Sequence, residues 1–352
     1  MKGVVLSGGT GSRLRPITFS MAKQLVPVAN RPILNYGLQD MADAGITEVA
    51  IIISPETGGE IRKTVGDGSQ LGLEKVEYIV QDAPKGLAHA LGCALPWADG
   101  DDVLMYLGDN LIKQGVADVV DDFTTHEPNC QILLTPVDNP SDFGVAQLDD
   151  GQVVQLIEKP SDPPSNLALV GVYLFDSSIT EAVASIRPSA RGELEITDAI
   201  QWLVDNGKEV RPSIVNGWWK DTGKKEDLLD ANQLILADME NEIDGELIDT
   251  VVRGNIRVEK GARLVDCQVT GPAVVGAGTQ MARTTIGPNT AIGNECRIAD
   301  ASIEGSIIMD GAEVRGWKLH NSLLGHEVKV KGAPPPGFVE MTLGERSEVD
   351  GE

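Results

Sequence analysis

The sequence predicts an α/β sheet domain followed by a parallel β-solenoid. Two periodicities carry that reading. Up to about residue 240, strand-like apolar runs alternate with helix-like ones. From residue 252 onward, apolar residues recur about every six positions within a repeat of 17. The first pattern predicts a mostly parallel, Rossmann-like sheet with helices on both faces. The second predicts short strands stacked coil on coil.

In the first region Val4–Leu6 reads as a short strand and Ile33–Asp43 as a helix opening after Pro32. Val49–Ile53 and Val103–Leu107 read as strands, with the helix Leu87–Leu95 between them. Ile132–Val137 and Leu169–Phe175 are further strands. Ile196–Val204 and Leu228–Met239 are helical.

In the second region the apolar sets are Val252, Val258 and Leu264, then Val269, Val275 and Met281. Ile286, Ile292 and Ile298 follow, then Ile303, Ile308 and Val314. Three inward positions per coil give a triangular solenoid, with glycines at many corners. This spacing predicts the left-handed β-helix. A helix would repeat every 3.6 residues instead. The expected domains are 1–242, a β-helix over 243–332, and a tail over 333–352 whose residues Met341–Glu352 are expected to fray. The helix Leu228–Met239 is expected to dock against the first coil's end. The solenoid is expected to be structural or oligomerising, with catalysis confined to residues 1–240 and the chain a homo-oligomer.

The chain has 352 residues, of which 53 are acidic and 29 basic, for a formal net charge of −24. This excludes a nucleic-acid binder, which needs a basic footprint, and an anionic membrane surface. So large an acid excess reads either as a well-solvated surface or, the reading favoured by its size, as adaptation to high salt, where screening removes self-repulsion. Cys93, Cys130, Cys267 and Cys296 are scattered and form no C-x-x-C pair, so neither zinc nor a disulfide framework is expected. The first strand begins at once, with no signal-peptide pattern, and no run is long enough for a membrane span. A cytoplasmic location is expected.

The first strand ends in Leu6-Ser7-Gly8-Gly9-Thr10-Gly11-Ser12-Arg13-Leu14-Arg15-Pro16, and Lys23 follows. Glycines let backbone N–H groups approach a ligand, and the cations suit a polyphosphate. The loop is not a Walker A motif, which ends in Gly-Lys-Ser/Thr. By itself it also reads as a tight turn with surface cations. The apolar strand Val103–Leu107 ends in Gly108-Asp109-Asn110. Ligands of open α/β sheets sit at the carboxyl ends of strands. Asp109 is therefore a candidate Mg²⁺ ligand, and Asp221 a second. Asp109 alone also reads as a turn residue. Glu158 and Lys159 close the run Val153–Ile157, and Arg191 precedes a helix start rich in acid. Either the pair holds a hydroxylated phosphate ligand or it is an exposed ion pair.

In this order, Gly8–Pro16 with Lys23, Gln81 with Gly86-Leu87-Ala88, Gly108-Asp109-Asn110, Phe143-Gly144-Val145, Glu158-Lys159-Pro160, Arg191–Asp198 and Trp219–Gly223 resemble the sugar-1-phosphate nucleotidylyltransferases. The solenoid looks like the long form of that family. The resemblance implies that Gly8, Gly11 and Arg13 hold the triphosphate, that Leu6 and Gly9 also belong to the nucleotide site, and that Lys23 stabilises charge at the transferring phosphorus. It implies that Gln81 and Gly86 contact a pyrimidine, and that Asp109 and Asp221 bind Mg²⁺. Gly144, Glu158 and Val172 would line the sugar site, with Lys159 and Arg191 on its phosphate. Phe143 stands where many relatives carry tyrosine.

The implied reaction joins dTTP to glucose 1-phosphate, with UTP and another sugar 1-phosphate as the alternative. Gln81 is expected to select an imide base edge by both donating and accepting hydrogen bonds. One rival reading adds acetyl transfer in the solenoid, with His320 or His326 as base. A second is a non-catalytic scaffold. The retained Lys23, Asp109, Lys159 and Asp221 argue against the scaffold. His89 and His126 read as packing or surface residues.

Overall fold

The computed structural model describes residues 1–9 and 11–351; Thr10 of the glycine loop and Glu352 at the end of the tail lie outside the described residues. By internal packing the chain forms two compact units. Residues 1–9 with 33–221 form one, and residues 11–32 with 222–351 form the other.

The first unit is a nine-stranded mixed sheet. Its strands are β1 (Lys2–Ser7), β2 (Glu48–Ile53), β3 (Lys75–Val80) and β4 (Val103–Leu107). After a short β5 (Asn110–Ile112) come β6 (Cys130–Pro136), β7 (Gly144–Asp149), β8 (Gln152–Glu158), β9 (Leu167–Phe175) and β10 (Val210–Ile214). The order is β8-β7-β9-β4-β1-β2-β3, with β6 also beside β9 and carrying β10. The half around β1 is parallel, pairing β1 with β2 and β4, and β2 with β3. Beyond β4 the sheet turns antiparallel at β9. β1 and β4 thus present their carboxyl ends together, and the Gly108 N–H donates to the Leu6 carbonyl at 2.9 Å.

Every expected strand and helix of this unit forms, with ends moved by up to three residues. The sequence reading missed the helices Gly58–Val65, Ala117–His126 and Ile179–Ser185. It also missed β3 and β10, whose residues are mostly half-exposed, so apolar runs do not mark them. One sheet face packs under the helices Leu87–Ala98, Ile179–Ser185 and Ile196–Asp205, through Ala88, Leu91, Ile179 and Ile200. The helix Ile33–Asp43 covers the other face, where its Gly37 admits the Tyr106 ring.

In the second unit three all-parallel sheets stack coil upon coil, the arrangement of a left-handed β-helix. The inward register matches the sequence periods: Val252, Val269, Ile286 and Ile303 follow one another on one sheet. Leu264, Met281, Ile298 and Val314 do so on another. Their side chains, with Cys267 and Cys296, fill the interior.

The structure departs from two expectations. The tail does not fray: Thr342–Leu343 and Glu348–Gly351 extend two of the sheets past the proline-rich stretch. The helix Lys225–Asp238 does not cap the first coil. Its Leu236 packs against the solenoid flank on Val274 and Ala291, whose outward side chains are apolar there. Asn232 of that helix is fully buried. It accepts from the Ala29 N–H at 2.9 Å and donates to the Asn289 carbonyl at 3.1 Å. Asn30 donates to the Ile292 carbonyl at 2.6 Å. The segment carrying Arg13 and Lys23 is therefore fastened to the solenoid.

Candidate functional site

In the sheet unit, Asp109, Gly144, Glu158, Lys159 and Asp221 line one cleft of about 150 Å³. Asn110, Asp142, Phe143, Gly171, Tyr173 and Trp219 line it too, and the sequence reading had assigned them no role in ligand binding. Asp109 follows β4. Asp221 closes a short strand, Trp219–Asp221, that runs antiparallel to β5, with Asp221 opposite Asn110. The ladder brings the two carboxylates to the same cleft. Asn110 supports it, donating to Asp109 Oδ1 at 3.1 Å and accepting from Trp219 Nε1 at 2.6 Å. Phe143 meets the Trp219 ring edge-on, with centroids 5.3 Å apart.

Gly144 pairs with Glu158 across the β7–β8 ladder. A side chain on Gly144 would start 3.1 Å from Glu158 Oε2, so glycine keeps the carboxylate open to the cleft. Glu158 accepts from Arg191 at 3.1 Å and Thr197 at 3.4 Å. Burial, then repulsion from Glu195, pushes its pKa above the ordinary glutamate range, against the pull of Lys159 and Arg191. The next residue, Lys159, has a φ of 43°, unusual for a residue with a side chain. Its N–H donates to the Phe143 carbonyl at 3.0 Å. That turn ends the strand and sends the ammonium out of the ladder's alternation, the kind of local strain that collects at functional sites.

Arg191 also meets Glu193 at 3.5 Å and Glu195 at 3.4 Å, so three carboxylates orient its guanidinium. Val172 is fully buried opposite Tyr106 and is not among the lining residues. Leu169, Gly171 and Tyr173, alternate residues of β9, line the cleft, and the same alternation turns Val172 to the other side.

Leu6 lies near the end of β1, followed by Gly8 and Gly9. Gln81 follows β3 and lies beside Gly8, its Oε1 3.3 Å from where a Gly8 side chain would begin. Gly86, with φ of 105°, opens the helix Leu87–Ala98, and a side chain there would meet the Leu194 carbonyl at 2.4 Å. Only glycine fits this crossing. His89, unassigned from sequence, lies 3.0 Å from Gln81 through Nδ1.

In the solenoid unit, Gly11 adopts φ of 61°, and a side chain on it would start 2.8 Å from Lys23 Cβ. The Gly11 carbonyl accepts from Leu14 at 2.9 Å and Thr18 Oγ1 at 2.6 Å. Arg13 approaches Gly223, and a cleft of about 490 Å³ is lined by Arg13, Arg15, Lys224 and Lys225 together with Glu226, while Lys225 also pairs with Glu340. Such a cation cluster in a strongly acidic chain suits a polyanion. The His320 ring lies tilted by 38° to that of Phe338, with centroids 5.9 Å apart.

Within the sheet unit, the glycines that follow β1 and a cleft lined by Asp109, Asp221 and Lys159 have the chemistry that phosphoryl transfer uses. The family model described as Nucleotidyl transferase matches residues 2–238, and the chain belongs to that family. Over 99% of both chains it is 48% identical to a glucose-1-phosphate thymidylyltransferase of Streptomyces griseus and 47% identical to one of Streptomyces antibioticus. It is 45% identical, over the same share of both chains, to the low-salt glycan biosynthesis nucleotidyltransferase Agl11 of Haloferax volcanii. A solved structure described as a glucose-1-phosphate thymidylyltransferase of Bacillus anthracis, in complex with a sucrose, superposes with a TM-score of 0.64 at 36% identity. That match covers 69% of this chain and 97% of the other.

Proposed function

We propose that the chain transfers the thymidylyl group from dTTP to glucose 1-phosphate, releasing pyrophosphate. The observation that carries this reading is the cleft that unites Asp109 and Asp221 with Glu158 and Lys159. Near full-length identity to two thymidylyltransferases supports it.

A phosphate oxygen of the sugar phosphate attacks the α-phosphorus in line, and pyrophosphate leaves. Two anions must meet, so positioning and charge neutralisation make up most of the catalysis. Gly8, Gly9 and Gly11 give backbone N–H groups to the triphosphate, and Arg13 neutralises it. Lys23 stabilises charge developing at the α-phosphorus. Lys159 and Arg191 receive the sugar phosphate, while Glu158 and Gly144 take sugar hydroxyls.

The donor set fits Mg²⁺. Among the described residues no group of three or more His, Cys, Asp or Glu forms a metal cage. Two carboxylates completed by phosphate oxygens and water are the usual Mg²⁺ arrangement. Asp109 and Asp221 would hold the ion, which neutralises phosphate charge when bound.

No helix among the described residues is long and apolar enough to cross a membrane. A cytoplasmic location, where nucleoside triphosphates are abundant, accords with this reading. We extend the proposal to a homo-oligomer assembled through the strand faces of the solenoid; a monomer mass by light scattering would remove this part. The net charge of −24 goes with a high-salt environment. The thermal midpoint should then rise between 0.1 M and 2 M KCl, and a fall would remove that part.

The decisive experiment is a panel of triphosphates against several sugar 1-phosphates, followed by pyrophosphate release. Highest kcat/KM for dTTP with glucose 1-phosphate supports the reading. Higher kcat/KM for UTP, or for another sugar, replaces it with the corresponding transferase.

A further inference from the structure

We infer that His89 fixes the polarity of the Gln81 amide and so decides which base edge the site accepts. This rests on the reading that Gln81 faces the nucleotide base. Gln81 is anchored by its backbone N–H, which donates to the Ile53 carbonyl at 2.9 Å. Its side-chain Nε2 lies 3.3 Å from the Gly86 carbonyl and 3.0 Å from His89 Nδ1. A carbonyl only accepts. An amide Nε2 carries two hydrogens, so Gly86 and His89 use both when Nδ1 is the acceptor.

The surroundings favour that tautomer. His89 Nε2 lies 3.8 Å from Asp82 Oδ1. The Lys85 ammonium, 3.3 Å from the other Asp82 oxygen, holds that carboxyl below its ordinary range. An ionised carboxylate on the far side of the ring draws the proton to Nε2 and leaves Nδ1 as acceptor. A lysine, an aspartate and a histidine thereby orient one amide.

The consequence is chemical. With both hydrogens used, the only open capacity of Gln81 is Oε1, on the side of Gly8. The site accepts from the base and does not donate to it through this residue. This narrows the expectation from sequence, in which Gln81 did both. Thymine and uracil bring an N3–H donor to such an acceptor. Cytosine brings a bare N3, so two acceptors would face each other, and one buried polar group would stay unmatched. His89 acts through Gln81 and is a positioning residue.

The test is the ratio of kcat/KM for dTTP over dCTP, with glucose 1-phosphate saturating and the fold checked by thermal melting. The wild type should prefer dTTP strongly. In His89→Leu the amide is free to turn and offer Nε2 to cytosine, and the ratio should fall about tenfold or more. In His89→Asn the Oδ1 takes the place of Nδ1 as acceptor, and the ratio should stay within about threefold of wild type. In every variant KM for glucose 1-phosphate should hold. His89→Lys, which can only donate, reads the same effect in a polar variant should the leucine form fail to fold.

A folded leucine or lysine variant that keeps the wild-type ratio overturns the inference, whatever its rate. So does an asparagine variant as unselective as leucine. A wild type that uses dTTP and dCTP equally refutes the base-facing reading of Gln81 itself, and the inference falls with it.

Discussion

Glu158 of the cleft and the paired carboxylates of the solenoid respond to their surroundings in opposite directions. On the solenoid, Asp300 takes two hydrogen bonds from Arg283, at 2.6 and 2.9 Å. Glu327 pairs with Arg346 at 2.7 Å and Glu348 with Lys329 at 3.0 Å. These groups are solvated, and the hydrogen bond to a cation one coil away lowers each pKa. Glu158 also has an arginine at 3.1 Å, yet its pKa is raised, because burial and Glu195 outweigh the pair. Asp198 is raised too, by burial and then by Glu195. An ion pair in water is a small gain on a repetitive scaffold. A carboxylate held in a half-closed cleft costs stability, and such sites are where function is found.

Neutralising carboxylates in each region separates catalysis in the cleft from pairing on the solenoid. Asp109→Asn and Asp221→Asn should each lower turnover about a hundredfold or more, with the thermal midpoint nearly unchanged. Asp300→Asn should leave turnover alone. Near-normal Mg²⁺-dependent rates in both cleft variants would remove the metal assignment.

The next effect separates the two substrates. Lys159→Ala should raise KM for glucose 1-phosphate by about thirtyfold, and Arg13→Ala should do the same for dTTP, the usual scale for a charged hydrogen bond. Steady-state kinetics varying each substrate in turn reads the split. Both variants acting on the same substrate would show one role to be misassigned.

A smaller effect tests the link between regular scaffold and irregular site. Asn232→Ala strands the Ala29 N–H and the Asn289 carbonyl, at a cost of about 1–3 kcal/mol. We expect a midpoint lowered by several degrees and a modest rise in KM for dTTP alone. Truncation after Glu242 removes the Asn289 and Ile292 carbonyls together and should lose more activity than the point variant. A truncated protein with full activity would restore the simpler picture of catalysis confined to residues 1–240.

The smallest effect concerns pH. The Glu158 pKa is raised in the folded state, so its contribution favours folding fully below its ordinary pKa and is lost as pH rises through the folded value. Glu158→Gln should therefore melt slightly higher than wild type at pH 7, with the gap closing toward pH 4. The solenoid carboxylates run the other way. Asp300, Glu327 and Glu348 are lowered, so their contribution is present above the ordinary range and lost as pH falls through the folded values. Thermal melts of Glu158→Gln and Asp300→Asn against pH should diverge in sign. Parallel profiles would dissolve the contrast.

Much of this molecule is determined by local pattern. The solenoid needs one inward residue at each of three stations per coil, so Val252, Val269, Ile286 and Ile303 declare it without any tertiary knowledge. The strand ends at Gly8 and Asp109 were legible for the same reason: an apolar run stops abruptly at residues that serve a ligand. Other features depend on residues distant in the sequence, and no period encodes those meetings. The outward Val274 and Ala291 could not be told from core positions until the helix Lys225–Asp238 was seen lying on them. The tail joined the sheets because edge strands on the last coil offer it unpaired backbone groups, a force that its acidic composition does not reveal. Leu169, Gly171 and Tyr173 face the cleft by the two-residue alternation of β9, which turns Val172 to the other side, and only the strands packed beside β9 decide which side meets the cleft. His89 acquired a role because folding places its Nδ1 3.0 Å from an amide eight residues earlier, across a glycine turn. Periodicity determined what is repetitive here, and tertiary packing decided what is singular, because an active site is built from contacts that occur only once.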